Sequence, residues 1–169
     1  KKAFNKGLFL INKRLVGKKQ ELLRSVSKYL LCFQLERMIF LSFIKNKSLA
    51  SQGLEKIKWV QAHMPVLKEL QRTLGESKPF RGLRVAICIH LEAKTAYMAL
   101  VLREAGAEVF ITGSNPLSTQ DDVAAALVHE GIETFAWYNA SPEEYAKHLY
   151  LTAANKPHLI IDDGGDLVS

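Results

Sequence analysis

From Leu49 onward the apolar positions of the chain recur at fixed intervals. Leu54, Ile57, Val60, Met64, Leu67, Leu70 and Leu74 are three or four residues apart, which puts them on one stripe of a helix. Pro65 falls inside that stripe and is expected to kink the helix or to start a second one, because proline has no N–H to donate. After Gly75 and Pro79 the pattern changes. Leu83 to Ile89 is a short apolar run, partly β-branched, which marks a strand buried on both faces. Val109 to Thr112, Ile132 to Trp137 and His158 to Ile161 repeat that mark, with helical stretches around 92–105, 118–130 and 141–154 between them. This β-α-β-α-β-α-β alternation predicts an α/β fold, a three-layer sandwich around a mainly parallel sheet of the Rossmann or flavodoxin kind, joined by right-handed crossovers. Ser118-Thr-Gln-Asp121 and Ser141-Pro-Glu-Glu144 both read as capping boxes, the second with proline at the first helical position.

The first 47 residues do not share this regularity. Leu22, Val26, Tyr29, Leu30 and Phe33 could form one apolar helical stripe, but the text around them alternates lysines with apolar residues. Charge separates the two parts: residues 1–47 hold twelve Lys/Arg against two Glu, residues 48–169 eleven Lys/Arg against fifteen Asp/Glu. The chain is therefore read as a basic extension, 1–47, and a single domain, 48–169. Two readings of the extension stand: a basic amphipathic segment for a membrane surface or a partner, or a translated upstream region with initiation at Met38. Either way its removal is expected to be harmless.

The net charge of +6 thus comes from the extension, and the domain offers no basic stripe with interleaved aromatics. Nucleic-acid binding is not expected. Nor is membrane insertion: Gln34, Glu36 and Arg37 interrupt the apolar stretch from Tyr29 to Ile44, and a span needs about 20 apolar residues. Two cysteines, Cys32 and Cys88, make neither a disulfide framework nor a zinc-ligand pair, so a reducing, cytoplasmic compartment is expected.

In open parallel sheets ligands bind beyond the carboxyl ends of the strands, and here those loops are polar. The first strand runs into His90-Leu-Glu92-Ala-Lys94-Thr95, the second into Gly113 to Asp122, and the fourth into Asp162-Asp163-Gly-Gly-Asp166. Each has a plain structural reading beside the chemical one. Ser118 and Asp121 can be a helix cap and its partner, Lys94 can neutralise Glu92, and Asp-Gly clusters make turns. His90 with Glu92 is too sparse a pair to name a metal site. Three carboxylates within five residues at a strand end suit acid/base work and hydroxyl recognition. Cys88, inside a strand, reads as a small buried hydrophobe. Gly164-Gly165 is no dinucleotide fingerprint, for it contains no Gly-x-Gly-x-x-Gly and follows the last strand.

Six segments resemble the adenosylhomocysteinase family in order and spacing: Ala62-His-Met-Pro-Val-Leu67, Lys78-Pro-Phe-Arg-Gly82, His90-Leu-Glu-Ala-Lys-Thr95, Gly113-Ser-Asn-Pro-Leu-Ser-Thr-Gln-Asp121, Phe135-Ala-Trp-Tyr138 and Asp162-Asp-Gly-Gly-Asp166. The resemblance runs from about Leu49 to Ser169. It implies reversible hydrolysis of S-adenosyl-L-homocysteine to adenosine and L-homocysteine by an NAD-dependent cycle of oxidation, elimination, addition and reduction. It implies His90 near the sulfur side of the substrate, Asp163 at the ribose as an acid/base or positioning group, and Ser118 in the pocket wall. Glu92, Lys94 and Thr95 would lie along the base, where they depart from the commoner His-Met-Thr-x-Glu/Gln-Thr pattern, so the inosine analogue is a second candidate substrate. The family's lysine, aspartate and reactive-site cysteine, and its NAD-binding domain, have no counterpart in the chain. The resemblance therefore implies a domain incomplete at its C-terminus, NAD held by a domain absent from this chain, a homotetramer for the full-length protein, and no turnover by these residues alone. A non-enzymatic regulatory relative and an unrelated α/β binding module are the competing readings.

Overall fold

A computed structural model describes residues 42–169. The stripe from Leu22 to Phe33, Cys32 and Met38 lie outside the described residues. Strand β1 (Phe43–Ile44) and a 3-10 turn (Lys47–Leu49) precede two helices, α1 (Ala50–His63) and α2 (Pro65–Ser77). Pro65 starts the second helix. The residue before a proline is pushed out of the helical region, and Met64 has φ −119° and ψ 75°. There follow β2 (Arg84–Ile89), α3 (Ala93–Glu104), β3 (Glu108–Gly113), α4 (Asp121–His129), β4 (Glu133–Ala136), α5 (Pro142–Ala154) and β5 (Leu159–Asp162).

All five strands are parallel and lie in the order β1-β4-β3-β2-β5. β2 pairs with β3 along its whole length, Val85 opposite Val109 and Ile87 opposite Ile111, and on its other side with β5, Val85 opposite Leu159. From β2 the chain steps outward to β3 and β4, then returns to the far side of β2. Right-handed crossovers then put α3 and α4 on one face of the sheet and α5 on the other. α1 packs on α3 and α4, and α2 on α3, as an outer layer. Val85, Ile87, Val109, Ile111, Leu127 and Ile132 are buried in one core.

β1 lies inside the stretch read as an extension. Phe43 pairs with Phe135 of β4, and its ring meets Trp137 edge-on at 4.8 Å, while the Ser42 hydroxyl accepts the Thr134 amide at 3.2 Å. Lys147 of α5 sits over the Phe43 ring at 4.3 Å. Behind them His148 is buried, in edge contact with Trp137, and its Nε2 has no hydrogen-bond partner among the described residues. Burial pushes its imidazole pKa down to about 4.

The capping box at Ser141 is formed: its hydroxyl accepts the Glu144 amide at 3.2 Å, and the Glu144 carboxylate accepts the Ser141 amide at 2.8 Å. The expected box at Ser118 is not. α4 begins at Asp121 with Gln120 as its cap, and both side chains of that box are spent elsewhere. Ser118 Oγ bonds to Asn115 and His90, and Asp121 Oδ1 accepts the amide of Tyr138 at 2.7 Å.

Candidate functional site

The strand order reverses between β2 and β5, which opens a crevice at their carboxyl ends. β2 delivers His90 there, β3 the loop carrying Ser118, and β5 the acidic turn 162–166. The β2 exit is tightly held. His90 O accepts the Thr95 hydroxyl at 2.6 Å and the Glu92 amide at 3.0 Å, and Leu91 O accepts the Gln120 amide at 3.1 Å. Thr95 is buried, so its hydroxyl serves the loop.

The β3 exit is folded around Asn115. Its side-chain oxygen accepts the Leu117 amide at 2.9 Å, and its carbonyl accepts the Ser118 and Thr119 hydroxyls, both at 3.1 Å. Gly113 permits this winding, since a Cβ there would come within 2.5 Å of Thr119 Oγ1. Ser118 Oγ is thereby brought 2.5 Å from His90 Nδ1. The hydroxyl has one proton and two neighbours. When it goes to Asn115 O, the imidazole must offer Nδ1–H and Nε2 is left as a base; when it goes to Nδ1, Nε2 carries the proton. The pair can thus accept or deliver a proton at Nε2.

Asp162 organises the β5 exit. Its carboxylate accepts the amides of Gly164 at 3.1 Å, Gly165 at 2.9 Å and Leu167 at 2.8 Å. Burial raises its pKa, but these backbone donors outweigh it and hold the carboxyl below its ordinary range. Asp162 is therefore the turn former of the three acids. The Asp163 amide continues the ladder to Cys88 O at 3.2 Å, which sets the residue on the strand neighbouring His90. Its side chain is exposed, and among the described residues its carboxylate takes no hydrogen bond or ion pair. Cys88 is no nucleophile: burial first, and the charge of Asp162 second, push its thiol up to about 12.

Glu92 caps the N-terminus of α3 without a side-chain cap bond and is paired with Lys94 at 2.9 Å. Beside this pair is a cleft of ≈ 610 Å³ lined by Lys56, Trp59, His63, Met64 and Gln120. Trp59 and His63, one helical turn apart on α1, stack at 4.0 Å between ring centres. Sequence reading missed this wall, although an exposed Trp with His at i+4 was there to be read. It also missed Tyr145 of α5, which touches the β3 and β5 exits and has no spacing signal.

A dinucleotide does not fit the described residues. In this topology its pyrophosphate would need a glycine-rich turn at the N-terminus of α3, where the chain has Leu91 and the carboxylate of Glu92. No three His, Cys, Asp or Glu side chains come together as a metal centre would require among the described residues.

Fold and site together define an open α/β domain with its ligand crevice at the reversal of strand order, equipped with an imidazole–hydroxyl pair and a free carboxylate. A family profile described as S-adenosyl-L-homocysteine hydrolase matches residues 42–169, and the chain belongs to that family. It is similar to the S-inosyl-L-homocysteine hydrolase of Methanococcus maripaludis, 48% identical over 128 residues that make up 76% of this chain and 31% of the relative. The adenosylhomocysteinases of Aeropyrum pernix and Pyrococcus abyssi are each 48% identical, over 73% and 75% of this chain and 30% of their own lengths. The chain thus spans about 30% of the length of these curated relatives.

Proposed function

We propose that these residues form the part of a hydrolase that grips the ribose and base of S-adenosyl-L-homocysteine, in a protein that splits this thioether to adenosine and L-homocysteine. The observation that carries the reading is the His90–Ser118 pair beside the unpaired Asp163 carboxylate on the neighbouring strand. In this reading Asp163 accepts a hydrogen bond from a ribose hydroxyl and takes part in proton transfer there, and His90 Nε2 exchanges a proton on the sulfur side. Ser118 couples the tautomer of that imidazole to the direction of its own hydroxyl. NAD is held by a part of the protein outside the described residues, and the full-length protein works in the cytoplasm as a homotetramer.

The base would lie by Glu92 and Lys94, which offer one acceptor and one donor. Adenine presents an amino donor and a ring-nitrogen acceptor, and hypoxanthine an N–H donor and a carbonyl acceptor, so the pair can serve either. The presence of both adenosyl and inosyl enzymes among the relatives supports testing the two substrates side by side.

The test is release of homocysteine from S-adenosyl- and S-inosyl-homocysteine by full-length protein. Asp163→Asn is expected to lose on the order of a hundredfold in turnover. The 169-residue chain with added NAD is expected to release none. Near-normal turnover by the Asn variant would reduce Asp163 to a turn residue.

A further inference from the structure

β3 and β5 are not neighbours, because β2 lies between them. Their exit loops nevertheless share one contact. The Tyr145 hydroxyl lies 3.0 Å from Ser114 O, at the end of β3, and 2.8 Å from Asp166 Oδ2, in the turn after β5. Tyr145 itself is firmly placed: it sits in the first turns of α5, its amide bonds to Ser141 O at 2.8 Å, and the capping box at Ser141 fixes that helix end. The aromatic ring approaches from α5, on the face of the sheet opposite α3 and α4, and its hydroxyl meets both loops.

We propose that Tyr145 is a positioning residue of the candidate active site: it fastens the loop that carries Ser118 to the turn that carries Asp163, across the end of the strand that carries His90. The inference rests on the assignment of those three residues to the reaction, but the tether is a property of the free protein. Asp162 folds the turn internally through three backbone amides. That network sets the shape of the turn and says nothing of where it sits relative to β3. The Asp166 carboxylate supplies that second restraint, and Tyr145 is its donor. The phenol has one proton, shared between the two acceptors; without it neither Ser114 O nor Asp166 Oδ2 keeps its contact with α5, so the turn can drift while the fold remains. A displacement of about 1 Å in a reacting group is enough for up to a hundredfold in rate.

The experiment uses full-length protein carrying Tyr145→Phe, which keeps the ring and removes the hydroxyl. Expected are a fall in kcat for homocysteine release of about tenfold or more per site that binds adenosine, and a KM within about threefold. Without substrate, hydrogen–deuterium exchange at the Asp163 amide, which ties the turn to Cys88 O, should be about tenfold faster, with the amides of β2 unchanged. Asp166→Ala should reproduce both effects, whereas Asp166→Asn, which keeps an acceptor for the hydroxyl, should retain most of kcat. The proposal is overturned by unchanged exchange and unchanged kcat in Tyr145→Phe, by a loss confined to the fraction of sites that bind adenosine, or by Asp166→Asn being as damaging as Asp166→Ala. Because exchange is read without turnover, a loosened turn combined with a fully active Asp163→Asn enzyme would sink the assigned reaction and leave the tether standing.

Discussion

Gly53 and Gly75 both lie inside helices, where glycine is ordinarily a defect of up to about 1 kcal/mol relative to alanine, yet replacing them should have opposite effects. A Cβ built on Gly53 of α1 falls 1.9 Å from Asp122 O, 2.5 Å from Asp122 C and 2.9 Å from Ala126 Cβ, all in α4. Two of these are backbone atoms of a helix and cannot swing aside. To bring the new methyl to an ordinary contact, α1 and α4 must part by more than about 1 Å, enough to forfeit a quarter to a half of the dispersion energy along the seam. Overpacking of this kind typically costs about 1–3 kcal/mol and here falls at the upper end, since the obstruction is backbone. The Lys56–Asp122 pair, 2.7 Å apart across the same seam, has a half-exposed lysine and adds little. After subtracting the helical gain, Gly53→Ala should destabilise by about 2 kcal/mol and lower Tm by about 5–10 °C. At Gly75 the nearest atoms, 3.3 and 3.4 Å away, belong to the flexible end of Glu104. Gly75→Ala should gain about 0.5–1 kcal/mol. Urea denaturation followed by circular dichroism reads both. A Gly53→Ala protein as stable as its parent would show that the α1–α4 seam yields.

Two further outcomes concern the region around β1. The imidazole of His148 is neutral in the folded state down to about pH 4, whereas the unfolded chain protonates near its ordinary value, so protons favour unfolding between the two. Stability is thus full above about pH 6.5 and falls by about 3 kcal/mol as pH drops towards 4; His148→Leu should flatten that window in urea titrations, and an unchanged pH slope would refute the burial penalty. A chain starting at residue 48 should melt several degrees below one starting at residue 42, because it loses the Phe43–Trp137 contact, the cation over Phe43 and the Ser42–Thr134 bond. Equal melting temperatures would show β1 to be ornamental.

The central strands and the helices between them were legible because burial on both faces leaves β2 and β3 almost wholly apolar, and the helices show their own period. β1 was not, since a two-residue edge strand in basic, apolar text has no period to detect. The two capping boxes separate what motif spacing can and cannot decide. Ser141 donates only to Glu143, two residues on in the same helix end, and still caps α5, while Ser118 has His90 and Asn115 within reach, and a tertiary partner overrides the local cap. The acids after β5 could be found as a cluster, but their division of labour could not. Only coordinates separate Asp162, saturated by amides, from Asp163, which is free, and from Asp166, held by a tyrosine 21 residues upstream. A lone Tyr in an amphipathic helix reads as packing, and nothing in its spacing points to the crevice.

The strand order has a kinetic side. Val85 of β2 meets Val109 of β3 after a short excursion of chain, but meets Leu159 of β5 only after about 74 residues have been made and folded. Closing the longer loop costs about 1 kcal/mol more in chain entropy, so contact formation favours the β2–β3 side, and the imidazole–hydroxyl pair exists before the acidic turn arrives. Until then the most apolar strand of the sheet has a bare edge, with unpaired amides and carbonyls beside Val85, Ala86 and Ile87. Such an edge recruits strands from other copies. The reversal that creates a crevice for a ligand therefore also makes the β2–β5 side of the sheet the last to be closed, and losses during refolding are expected from that interval.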